Sequence, residues 1–171
     1  MPSQTRQRTI EHSIHVAAPA ETIWRHITEV DLDSFDHPVY LRWLDIPKPV
    51  RAEVTAGGVG GARTAFFDNG ARFTQVITVW QPPTQYAFTF HPDPGFRVAH
   101  LLDLSNGPFQ MKSGAYRLVP AQGGTTLTLT SDYELHGLLG ILLNLPVRIV
   151  LHLFQKYLLH GIKANAECEG E

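Results

Sequence analysis

The chain has 171 residues, 43% of them hydrophobic and 18% charged, with a formal net charge of −2. That length suits one domain with a sizeable core, and the charge gives no electrostatic reason to expect nucleic acid or an anionic membrane as partner. The single cysteine, Cys168, lies in a polar tail, which excludes an internal disulfide and fits a reducing, cytoplasmic setting.

Met1 to Arg8 is polar and basic with no apolar run behind it, so no signal peptide is expected. Residues 1–7 read as a flexible N-terminus, 8–166 as a single ligand-binding domain and 167–171 as a polar tail. Thr9 to Ala17 alternates, with Ile10, Ile14 and Val16 on one parity, the pattern of a half-buried strand. His12 shares that parity and should point inward. Ala18 to Trp24 opens a helix, with Pro19 and Glu21 in its first turn and Ile23, Trp24, Ile27 and Val30 as its buried face. Asp31 to Pro49 is irregular yet rich in Phe35, Tyr40, Leu41, Trp43 and Leu44. It reads as a satellite cluster under a long connection or as the lid of a cavity.

Strands follow from Val50 onward. Val50 to Thr55 leads into a turn rich in glycine, then Ala62 to Asp68 and Ala71 to Trp80 form a hairpin with Asn69-Gly70 at its corner. A two-residue loop sets Phe66 opposite Phe73. One face then holds Thr64, Phe66, Phe73, Gln75, Ile77 and Val79, and the other Arg63, Phe67, Arg72, Val76 and Trp80. Thr84 to Phe90 returns with Tyr86, Phe88 and Phe90 on one side. His91 to Gly107 is a second irregular stretch, and Gly107 to Pro120 another strand. In Thr125 to Leu135, Leu127, Leu129, Tyr133 and Leu135 face one way and threonines and acids the other.

The last element is a long helix, with Asn144 as N-cap and Pro146 in its first turn. Val147, Val150, Leu151, Phe154, Leu158 and Ile162 form its apolar stripe; Arg148, His152, Gln155 and Lys163 lie opposite. Leu138 to Phe154 is the one membrane candidate; it is short for a span and carries Asn144, Pro146, Arg148 and His152, so no transmembrane segment is expected. Ile149 and Leu153 fall off the stripe. They predict packing under the Asp31–Pro49 segment, or else a homodimer or membrane-touching surface. Strand, helical segment, consecutive strands and a final helix together give an α+β fold with an antiparallel sheet.

The entry Val16-Ala17-Ala18-Pro19-Ala20-Glu21-Thr22-Ile23-Trp24, the glycine turn before the Asn-Gly hairpin, and the passage Val76, Trp80, Pro82, Pro83 occur in a specific order. With Tyr116-x-Leu118-x-Pro120 and Gly124-Thr125-Thr126-Leu127 behind them, that order resembles the START/Bet v 1-like (SRPBCC) superfamily. Within it, the bacterial polyketide cyclase/dehydrase and lipid-transport group is the nearest resemblance, over about residues 8 to 166. The resemblance implies a helix-grip fold: a curved antiparallel sheet of about seven strands around the C-terminal helix, two short helices after the first strand, and an apolar cavity between sheet and helix. It implies binding or transport of a small hydrophobic ligand (a lipid, polyketide or aromatic), without catalysis in the preferred reading. The alternative is a polyketide cyclase or aromatase using His12, His91 or Tyr133 as a buried acid or base.

Nine histidines prompt a search for a metal site, but His12 and His15 point to opposite strand faces, and His152 and His160 have no carboxylate at ligand spacing. No metal and no cofactor are expected. No Gly-x-Ser-x-Gly elbow is present. The cavity candidates are Trp24, Tyr40, Trp43, Phe66, Phe73, Gln75, Phe88, Phe90, Met111, Tyr133, Phe154 and Leu158, with His12 and His91 as polar members, and Arg63 or Arg72 if the hairpin faces the other way.

Overall fold

The computed structural model describes residues 5–29, 35–98 and 102–169. Strand β1 (Thr5–Val16) begins four residues before the expected start and leads into α1 (Ala20–Thr28) and the short α2 (Val39–Trp43). Then come β2 (Pro49–Val54), β3 (Ala62–Phe67), β4 (Arg72–Gln81) and β5 (Gln85–Pro92). A small ribbon, β6 (Arg97–Val98) with β7 (Leu102–Asp103), falls in the stretch expected to be irregular. The long strands β8 (Phe109–Ala121) and β9 (Gly124–His136) precede α3 (Gly137–Cys168). Seven strands form one antiparallel sheet in the order β1-β9-β8-β5-β4-β3-β2. The sheet wraps α3, which is the helix-grip arrangement.

Alternation decides the inner face. Thr125, Leu127, Leu129, Ser131, Tyr133 and Leu135 of β9 are all buried, and the ladder continues that face through His12, Leu129, Tyr116 and Tyr86 to Trp80. Beside Tyr116, Gly114 is required by packing: a Cβ there would lie 2.7 Å from the Phe88 ring.

The β3–β4 hairpin corrects the expected register. Phe67 N–H bonds to Ala71 C=O at 3.0 Å, so the loop is Asp68-Asn69-Gly70, with Gly70 at φ +82°. Phe66 therefore pairs with Arg72 and Ala65 with Phe73. This single-residue slip turns β3 over relative to the expectation: Arg63 joins Phe73, Gln75 and Ile77 inside, while Phe66 goes outside. A bulge between Ile77 and Val79 then changes parity. It lets both Ile77 and Trp80 face the core, which simple alternation forbids.

The start of α3 is also corrected. Gly137, at φ +66°, turns β9 directly into the helix, a conformation that suits glycine. Asn144 is not a cap; it accepts a hydrogen bond from the Tyr133 hydroxyl at 3.3 Å. Pro146 lies within the helix. It removes one backbone bond at a cost of about 3 kcal/mol, which the packing of Leu143, Val147 and Leu151 on one apolar cluster offsets. The buried positions of α3 are Gly140, Val147, Gln155, Tyr157, Leu159, Ile162 and Ala166. Gln155, expected on the exposed side, is 2% exposed and donates through Nε2 to Ser131 Oγ (3.0 Å) and Ile10 C=O (3.3 Å).

The far end of α3 is tied to the end of β1. Lys163 Nζ donates to His15 C=O, and Glu167 accepts from Ala17 N–H and Lys163 Nζ. Phe35 packs flat on the helix backbone at Gly161 and edge-on to Tyr157.

Candidate functional site

Two apolar clusters line the concave face. The larger joins Trp24, Tyr86, Phe88, Tyr116, Leu127 and Leu129 to the C-terminal half of α3. Its partly open margin consists of Trp80 and Phe90 from the sheet and Val150, Phe154 and Leu158 from the helix. These half-buried side chains lie along the apolar seam between sheet and helix, with aromatic rings in edge contact along it: Trp24 with Trp80 at 5.1 Å, Phe88 with Phe90 at 5.0 Å. Apolar walls with a few oriented polar groups are the usual make-up of a small-molecule site.

The polar groups come from neighbouring strands. Arg63 is 6% exposed, and its Nε has no hydrogen-bond partner. Gln75, opposite it in the ladder, keeps its buried Oε1 unpaired. Burial pushes the Tyr86 hydroxyl up, and the neighbouring Arg63 guanidinium opposes that push through its charge and a loose hydrogen bond whose geometry is poor. Burial raises the Tyr116 hydroxyl to about 12, against the pull of the same guanidinium. No carboxylate among the described residues forms an ion pair with Arg63. A guanidinium keeps its charge whatever its surroundings, and buried charges are normally paired. Arg63 is therefore a buried cation facing neutral oxygens.

The residues anticipated for this site divide into several groups. Trp24, Phe88, Phe90, Phe154 and Leu158 meet in the larger cluster, and Gln75 lies beside Arg63. Phe73, Met111 and Tyr133 belong to the second cluster, with Ile10, Phe96, Phe109 and Leu135. Four anticipated residues lie elsewhere. Tyr40 and Trp43 on α2 are exposed, Trp43 by 87%, because Leu41 takes the buried side of that short helix. Phe66 is on the outer face under the Arg51 guanidinium, 4.1 Å away. His91 is exposed on the outer face, with Nε2 3.0 Å from Thr89 Oγ1. His12 points inward but meets His152, ring to ring at 4.9 Å. Its pKa is lowered by burial first and then by His152, Lys156 and His160. His12, His91 and Tyr133 thus occupy three separate places. Sequence reasoning missed Tyr86 and Tyr116 as companions of Arg63; the one available signal was the shared parity of Tyr86 and Phe88.

A separate open cleft of about 480 Å³ lies between His37, Arg42, Ile46 and Pro47 on one side and Asp68 and Asn69 on the other. Its lining is largely polar and charged.

The chain matches the family model "Polyketide cyclase / dehydrase and lipid transport" over residues 7–167. The chain belongs to that family. Polyketide cyclase/dehydrase family members fall within the SRPBCC superfamily, and the solved structures agree in fold. The aromatase/cyclase ZhuI from Streptomyces sp. R1128 superposes with a TM-score of 0.65 at 18% identity, covering 97% of each chain. A protein from Nitrosospira multiformis gives 0.60 at 19% identity, over 95% of this chain and 99% of the other. Ara h 8.0201 gives 0.58 at 19% identity, over 96% and 97%. A search of curated proteins finds no match. Family and fold together support a hydrophobic ligand-binding scaffold.

Proposed function

We propose that this family member binds a small, mostly apolar molecule carrying an acidic oxygen, such as a fatty acid or an acidic polyketide or aromatic. The apolar part would lie along the seam where the half-buried Phe90 and Trp80 meet the helix residues Val150, Phe154 and Leu158. The observation that carries this reading is Arg63, a buried cation with an unpaired Nε beside the unpaired Gln75 Oε1. A carboxylate would satisfy the guanidinium with a charge-assisted bond, stronger than a neutral one. Tyr86 would donate its hydroxyl hydrogen to the same oxygens. Calorimetric titration with a long-chain carboxylic acid and the alcohol of equal length tests the reading. The acid should bind at least about ten-fold tighter, and Arg63→Met should abolish the difference. Equal affinities for acid and alcohol would remove it.

A second reading is supported by the Tyr116 hydroxyl, which stays protonated to about 12 and feels the Arg63 charge. In a cyclase, Arg63 would stabilise the enolate oxygen of a polyketide carbonyl, and the Tyr116 hydroxyl, keeping its proton, would donate a hydrogen bond to that oxygen. Turnover of an aromatic-forming polyketide that disappears in Tyr116→Phe while ligand affinity persists would favour it. Unchanged turnover would reject it.

A further inference from the structure

The outer face of α3 changes character along its length. Leu138, Leu142, Leu145 and Ile149 recur at four- and three-residue steps and so share one helix face, and they are 74%, 69%, 66% and 52% exposed. Only 11% of the most apolar 18-residue window of α3 is buried. The helix is nevertheless a wall of the fold, since Gln155, Leu159 and Ile162 sit in the core. Two turns beyond Ile149, Lys156, His160 and Lys163 continue the same face, flanked by Arg148 and His152. Lys163 is engaged by Glu167 and the His15 carbonyl, and His152 by the His12 ring, whereas no ion pair forms at Lys156 or Arg148 among the described residues. From Gly137 to Ala166 the helix contains no acidic residue, in a chain with 16 acids and a net charge of −2. The overall charge conceals this local segregation.

We propose that α3 docks this protein on an anionic lipid surface, its leucine stripe entering the acyl boundary and its basic second half lying among the headgroups. Helices that lie in the membrane plane combine an apolar face with basic residues in this way. The alternative occupant, a second copy of the chain, fits less well. A two-fold contact repeats the same patch on both subunits. With the helices parallel, the cations of the two copies would face each other; with them antiparallel about the middle of the stripe, Leu138 would meet Ile149 and Leu142 would meet Leu145, but Lys156 and His160 would lie beyond the contact with nothing to engage them. Bilayer headgroups accept both halves at once.

Flotation with vesicles of phosphatidylcholine alone, or mixed with phosphatidylglycerol, tests the proposal with the full chain. The protein should bind the mixed vesicles and detach as salt is raised. Leu142→Glu with Ile149→Glu, both at exposed positions, should weaken binding at least about ten-fold. Arg148→Gln with Lys156→Gln should weaken it by roughly five-fold per charge. Arg63→Met should bind vesicles as the parent does, so failure of the ligand reading leaves this result intact. Circular dichroism should show each variant folded. No binding to either vesicle by the folded parent, or parental binding by the Leu142/Ile149 variant, would overturn the proposal. So would a solution dimer that this variant dissociates.

Discussion

Arg63 and Gln75 face each other across the β3–β4 ladder, yet the Nε of one and the Oε1 of the other are both buried and unbonded. Unpaired buried polar groups are costly, and here one of the two belongs to a charged group.

Arg63→Met should therefore stabilise the ligand-free protein, by about 1–2 kcal/mol, while removing affinity for acidic ligands. Urea unfolding of parent and variant checks the first part. A lower midpoint in the variant would mean that the guanidinium contributes to the fold itself.

Gln155 links α3 to two strands at once, through Ser131 Oγ and Ile10 C=O. Gln155→Leu keeps most of the volume but leaves both acceptors without this donor. A loss of about 1–3 kcal/mol is expected. A double-mutant cycle with Ser131→Ala should show a coupling above about 0.5 kcal/mol, and strict additivity would contradict the shared bond.

Gly161 lets the Phe35 ring rest on the helix backbone; a Cβ would lie 2.4 Å from the ring. Gly161→Ala should destabilise by about 1–3 kcal/mol, although alanine favours helix elsewhere by about 1 kcal/mol. Thermal unfolding gives the sign directly. In the background of Phe35→Ala, the same substitution should become neutral or stabilising.

His12 has a pKa below 6.5, through burial first and then repulsion from His152, Lys156 and His160. The folded state thus takes up this proton less readily than the unfolded chain, whose value is 6.5. The stability contributed by neutral His12 is complete above pH 6.5 and is lost as pH falls through the lower folded pKa. His37, lowered chiefly by burial, acts in the same direction. Urea midpoints measured across this window should fall with pH, and His152→Gln or Lys156→Gln should flatten the slope. An unchanged slope in both variants would show that these neighbours do not repel the His12 proton.

The strand pattern was legible wherever one face is buried against the helix. In β9, strict alternation placed Leu127, Leu129, Tyr133 and Leu135 together, as the ladder does. Element order likewise determined the α+β class, since consecutive strands with a terminal helix have few ways to cover one apolar face. The motif order further marked the superfamily.

What tertiary structure decided were features depending on a single residue of register or on a partner from a distant strand. Asn69-Gly70 is compatible with both a two- and a three-residue loop, and that choice sends either Arg63 or Thr64 to the interior. Gln155 is polar, so periodicity put it outside; Ser131 and Ile10 make its burial possible. Pro146 looked like a helix start because local preference favours that position, but packing on both sides of it carries the helix through. Sequence periodicity records which residues prefer to leave water, while the pairing of strands determines where each one goes.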